Sequence, residues 1–195
     1  MRFLSVCALL LLALAAILPA QSRQANSAKA LADSAERKFS YIEQNGARSQ
    51  PDPKPTVFTE DEINAYIAAG RLKLPTGVKS ARLHGEEGIV TSTSRVDFDE
   101  ITAGRRSANP LLYLFTGEHD VETMARARGR GGEAVVEVES VKLDGMEIPR
   151  TALEFFVDRF LRPKHPEIGM TTRFKMPHRI ESAVVGDKTL TLTQR

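Results

Sequence analysis

Side chains able to do chemistry are thinly spread through the 195 residues. The four histidines, His84, His119, His165 and His178, fall in turns or beside prolines without the paired spacing of metal ligands, and read as surface loop residues before they read as catalysts. The single cysteine, Cys7, lies inside an apolar N-terminal run and leaves the rest of the chain without a thiol nucleophile. Asp97, Asp99 and Glu100 form a tighter acidic group, whose alternatives are calcium at a strand-end turn, acid and base work, or a solvated strand end. The glycine and further oxygen ligands of a calcium loop are not at their spacing, which favours the solvated strand end. No nucleophile elbow, phosphate-cradling loop or dinucleotide fingerprint occurs. The expectation is a protein that is not an enzyme and carries no cofactor and no metal.

Arg126, Arg128 and Arg130, with Arg105 and Arg106, are the clearest basic features. Arg126 and Arg128 would project from one face of a strand, where they could meet phosphate oxygens of a lipid headgroup or guard the sheet against aggregation. The formal net charge of +2 gives no reason to expect nucleic acid as a partner.

The first 20 residues contain 17 hydrophobic ones and a single charge, Arg2. Arg2, the run Phe3 to Leu18 and the small residue Ala20 after Pro19 make the parts of a secretory signal peptide, with cleavage near Ala20. An uncleaved anchor is the alternative, though the run is shorter than the roughly 20 residues of a spanning helix. The mature chain, about 175 residues, is then exported, periplasmic or secreted, and must be held by its core without disulfides.

Helices and hairpins in alternation must position these residues. Residues 21–45 place Ala28, Leu31, Ala32, Ala35, Phe39 and Ile42 at spacings of three and four, which predicts an amphipathic helical arm. Residues 46–56, with Pro51, Pro53 and Pro55, form a linker. Thr59 and Glu62 mark a capping box, so a second helix starts at Glu60 and stops near Gly70. Beyond Gly77 the period drops to two, with hairpins predicted from Val78 to Leu83 with Ile89 to Asp97, and from Val121 to Arg128 with Ala134 to Leu143. A phase change on the return strand places a bulge near Glu139. Pro149 opens a third helix with Leu153, Phe156, Val157, Phe160 and Leu161 as its stripe, and Ile180 to Val185 with Thr189 to Thr193 close the chain, the last as an edge strand. Hairpins with helices at intervals predict an antiparallel α+β domain.

Volume adds a further constraint. Ser92, Ser94, Thr123, Ala125 and Ala127 occupy positions that the alternation turns inward, opposite large helical residues. Small inward side chains leave room, either for a closely packed helix or for an apolar ligand. Pro110 to Phe115 (PLLYLF) is unusually apolar for a connection and suits a buried short helix or a lip in transient contact with a membrane surface.

Phe58 to Ile67 (FTEDEINAYI), Leu74 to Val78 (LPTGV), the strand pair ending at Val96 to Phe98, Val141 to Pro149 (VKLDGMEIP) and Phe174 to Ile180 (FKMPHRI) follow one another in an order that resembles small secreted bacterial lipid-binding domains of the tubular lipid-binding (TULIP) superfamily. The resemblance covers about residues 57–194, and the Ala-rich first helix and proline linker have no counterpart in it. It implies a curved antiparallel sheet wrapped around a long helix, a half-barrel with an apolar groove for acyl chains and no catalytic residue. On that basis residues 57–195 form the domain, Tyr66, Ile67, Phe98, Val121, Phe156 and Phe160 line the groove, and Arg126 and Arg128 stand nearest a headgroup. The alternative is an envelope scaffold whose core fills itself and whose first helix docks to a partner protein.

Overall fold

A computed structural model describes residues 18–104 and 110–195. The predicted leader up to residue 17, and Arg105 and Arg106, lie outside the described residues. The chain is α+β, with an N-terminal helix and a large antiparallel sheet.

Helix α1 (Leu18–Gly46) runs unbroken across Ala20 and is followed by β1 (Thr56–Thr59) and α2 (Glu60–Ala68). The capping box forms as the sequence predicts: Glu62 N–H donates to Thr59 Oγ1 at 3.2 Å, and Thr59 N–H donates to Glu62 Oε2 at 2.8 Å. The predicted arm is packed against the domain, because the alanine stripe lets α1 come close enough to α2 to bury Ala32 and Ala35 completely. Its C-terminal end is tied by Asn45, which donates to Gln194 at 2.8 Å and to the Asp52 carbonyl at 2.9 Å.

Strands β2 (Val78–Glu86) and β3 (Ile89–Asp97) form the first predicted hairpin, and β4 (Glu118–Arg130) and β5 (Glu133–Leu143) the second. The second hairpin is longer than expected because Gly131 and Gly132, both at positive φ, make the turn in two residues. Met124 faces Ser140 and Ala125 faces Val138, so Glu139 is the bulged residue that the phase change placed there. Between the hairpins lie α3 (Phe98–Thr102) and a 3-10 turn (Pro110–Leu112). The chain continues through β6 (Met146–Glu147), α4 (Arg150–Phe156) with a π-helical turn (Val157–Leu161), β7 (Thr171–Lys175), β8 (Ile180–Gly186) and β9 (Thr189–Gln194).

Nine strands among the described residues make one sheet in the order β1-β9-β8-β4-β3-β2, with β5 on the other side of β4 and pairing both β6 and β7. Strand β9 was expected at an edge but lies between β1 and β8, since Thr56 to Thr59 pair along its free side. Only two residue pairs, Gly129 with Ala183 and Arg130 with Ser182, join β4 to β8. A side chain at Gly129 has no room there, because its Cβ would stand 2.7 Å from Ala183 Cβ.

Pairing partners in a sheet share a face, and the register divides this sheet cleanly. One face carries Arg82, Thr93, Arg95, Glu122, Arg126, Arg128, Glu137 and Lys142. The other is largely apolar and supports two side-chain clusters. The first lies where β3 and β5 end, around Val96, Phe98, Leu112, Phe115, Leu143, Phe156 and Phe160. The second lies under α1 and α2, around Ala35, Ile42, Phe58, Ile180 and Leu192.

Candidate functional site

Between the clusters the apolar face is formed by Leu83 of β2, Val90 and Ser92 of β3, Thr123, Ala125 and Ala127 of β4, and Val136 and Val138 of β5. Ala125 is buried and the other seven are partly buried, and none of the eight belongs to either cluster, although Asn64 of α2 bonds both main-chain groups of Leu83 at 2.8 Å. At strand spacings the strip measures roughly 14 Å along β4 and roughly 14 Å across four strands. The Ser92 and Ser94 hydroxyls are 3.1 Å apart and bond each other, which lowers the polarity they show to an apolar occupant. The inward-facing small residues are thus together on one surface, and the partly buried valines and Leu83 flank them. Leu83, Val90, Val136 and Val138 were not among the expected lining residues. Their signal was the same alternation, obscured on β5 by the bulge at Glu139.

The nominated lining residues divide between the clusters at the two ends of this strip. Phe98, Val121, Phe156 and Phe160 belong to the first cluster, where Phe98 meets Phe156 edge-on at 5.4 Å and Phe156 meets Phe160 at 5.3 Å. Tyr66 packs on the second cluster with its ring 5.0 Å from Phe39, and Ile67 is buried on α2. Burial and the neighbouring Glu36 carboxylate raise the Tyr66 phenol above its ordinary range.

Arg126 and Arg128 project from the polar face, opposite the strip. Arg126 pairs with Glu139 at 2.8 Å and Arg128 with Glu137 at 3.1 Å across the β4–β5 ladder. The acidic group at the end of β3 is a helix cap: Asp97 Oδ1 accepts from the backbone N–H of Asp99 at 3.0 Å and Glu100 at 3.2 Å, and Lys79 pairs with Glu100. Among the described residues no three His, Cys, Asp or Glu side chains converge as a metal site. His84 pairs with Glu60 at 2.9 Å, and His119 lies between Asp144 and the Thr116 carbonyl.

Hollows lined by described residues include one of about 350 Å³ between α1 and the β8–β9 pair, with Phe39, Ile42, Tyr66 and Leu192 among its walls, and one of about 410 Å³ flanked by Arg150, Asp158 and Arg162. No described helix is long and apolar enough to cross a membrane. No family model, no curated protein and no solved structure matches the chain.

Proposed function

We propose that this protein is an exported lipid-binding protein of the cell envelope that holds an acyl chain on the strip between its two side-chain clusters. The single observation that carries the reading is the strip itself: small and branched side chains, mostly apolar, continuous across four strands and only partly covered, on the face that the rest of the fold uses for its core. In this reading the sheet is a half-barrel of the TULIP kind, Tyr66 and Ile67 stand at one end of the groove, and Phe98, Val121, Phe156 and Phe160 stand at the other. Each methylene removed from water contributes about 0.8 kcal/mol, so half-enclosing ten of them offers about 4 kcal/mol, a roughly millimolar hold that a longer or more fully covered chain raises. Because Arg126 and Arg128 are paired on the opposite face, they have no part in the proposed site.

Native mass spectrometry with solvent extraction of protein taken from its own envelope tests the reading. Co-purified lipid, or lipid gained from liposomes, is the expected result, and Ser92→Phe with Thr123→Phe should reduce it at least tenfold while Arg126→Ala with Arg128→Ala leaves it unchanged. A folded chain that carries no lipid and takes up none overturns it. That outcome leaves the envelope scaffold, which the mutual stacking of Phe98, Phe115, Phe156 and Phe160 favours.

A further inference from the structure

His119 stands at the start of β4, on the apolar face, with its ring 6.0 Å from Phe98 of the first cluster. Its Nδ1 is 2.6 Å from Asp144 Oδ2 and its Nε2 is 2.8 Å from the Thr116 carbonyl. Both partners are acceptors, and a neutral imidazole has only one N–H to give. Only the imidazolium satisfies both contacts, and a neutral ring turns a lone pair toward an oxygen at one of them.

The two contacts join segments that have no strand pairing with each other. Asp144 belongs to the turn between β5 and β6, where its Oδ1 accepts from Asp120 N–H at 2.9 Å and its own N–H donates to the Asp120 carbonyl at 2.8 Å. Thr116 closes the segment that carries Leu112 and Phe115, both buried in the first cluster, and Phe115 stacks on Phe156 at 4.4 Å. Tyr113 and Leu114 of the same segment face solvent. Among the described residues, a further backbone tether of the segment is the Gly117 carbonyl, which accepts from Phe98 N–H at 2.8 Å.

We propose that His119 is a charge-dependent latch: protonated, it clasps the Leu112–Thr116 segment to the β5–β6 turn over the first cluster, and on losing its proton it lets that segment loosen. Asp144 beside the ring, opposed by burial and supported by the Thr116 carbonyl, raises the histidine above its ordinary range, and His119 in turn lowers Asp144. The charges acting on it are Asp144 from the β5–β6 turn and, against protonation, Arg95 from β3, which is paired with Glu118 and Asp120 on the opposite face of the sheet. From α3 the Phe98 ring stands against it. A raised folded-state value means the clasp is complete below the ordinary histidine range and is lost as pH rises through the higher value. If the strip takes an acyl chain, this loosening uncovers Phe98 and Phe156 at one end of it. The latch is read on lipid-free protein, so its failure and the failure of the lipid reading are separate results.

Hydrogen exchange by NMR between about pH 6 and about pH 9, corrected for intrinsic exchange, decides. The His119 ring is expected to titrate above the ordinary histidine value, and protection of the Phe98 and Phe115 amides to fall about tenfold with the same midpoint, while amides of β8 and β9 keep theirs. Asp144→Asn should move that midpoint down, and His119→Gln should abolish the dependence. Protection that is unchanged while the ring titrates, a midpoint that Asp144→Asn does not move, or a dependence that survives His119→Gln each overturns the proposal. If His119→Gln does not fold, the Asp144→Asn midpoint decides alone.

Discussion

Glu62 shows how much one side chain carries in this fold. Its carboxylate is nearly buried, with 7% of the side chain exposed, and it accepts from Lys38 at 2.6 Å, from Ser34 at 2.6 Å and from Thr59 N–H at 2.8 Å. Burial pushes its pKa up, but the bonds from Lys38, Ser34 and Thr59 outweigh this and hold it at about 2, against an ordinary value of 4.5. At roughly 1.4 kcal/mol for each tenfold change in proton affinity, that difference contributes about 3 kcal/mol near neutral pH. A depressed carboxylate stabilises above its unfolded-state pKa and ceases to do so as pH falls through the folded one, so this contribution fades between about pH 5 and about pH 2. Glu62→Gln is therefore expected to lose about 2 to 3 kcal/mol in urea unfolding at pH 7 and almost nothing relative to wild type at pH 2. An equal loss at both pH values would mean that the residue acts through packing alone. The same network couples α1 to α2, since Ser34 and Lys38 belong to the first helix and Glu62 to the second.

At the scale of elements, α1 is fixed at its far end by a second polar pin. Gln194, 3% exposed, donates to the Ile42 carbonyl at 2.7 Å and to the His178 carbonyl at 2.6 Å while accepting from Asn45. Gln194→Leu removes these bonds and leaves Asn45, itself 1% exposed, short of one acceptor, a change that costs about 2 to 3 kcal/mol. The expected result is faster proteolysis in residues 47–55 with little effect on β3 and β4; uniform cleavage across the chain would show that α1 has no separate release. This pin could not be read from the sequence, because Asn45 and Gln194 lie 149 residues apart and neither breaks a local pattern. Legibility followed locality throughout. The Thr59 and Glu62 box, the alternation through Ser92 and Thr123, and the phase change at Glu139 are each decided within a few residues, and each is in the fold where the pattern put it. Strand β1 was hidden because its four residues sit between a proline run and a helix cap and acquire their identity only by pairing with β9. Helix α3 was hidden because Asp97 continues the strand alternation while capping the next turn. The small residues of the strip were recognisable, but their position between two clusters depends on where β8 meets β4, which no periodicity states.

For the whole molecule, the consequence of that placement is a division into two packed ends joined by hydrogen bonds more than by packed side chains. Cluster residues at the two ends share a sheet face, yet the partly buried strip between them supplies few large side chains to couple one to the other. The join is made by main-chain bonds, namely the two β4–β8 pairs, Gly88 N–H to the Val185 carbonyl at 2.9 Å, Lys188 N–H to the Gly85 carbonyl at 2.8 Å and Gly132 N–H to the Glu181 carbonyl at 3.0 Å, and by Asn64 and Glu60 of α2, which bond Leu83, His84 and Gly85 of β2. Gly129 is the point at which this seam is tightest, since an added Cβ would stand 2.7 Å from Ala183 Cβ, 2.9 Å from Met176 Sδ and 3.0 Å from Ala183 N. Two of those atoms sit on β8, one of them backbone, so rotation of a flexible side chain cannot relieve the contact. Gly129→Val must therefore open the seam, with an expected loss of about 2 kcal/mol or more. Because the first cluster does not use the seam, the loss should be uneven: amides of β8 and β9 should approach unprotected exchange while those of β3 and the first half of β4 retain most of their protection. Native-state hydrogen exchange measures both at once. A parallel loss at the two ends would show that the strip transmits packing after all, which would also argue that its partly buried residues are core and not a surface left open for a ligand.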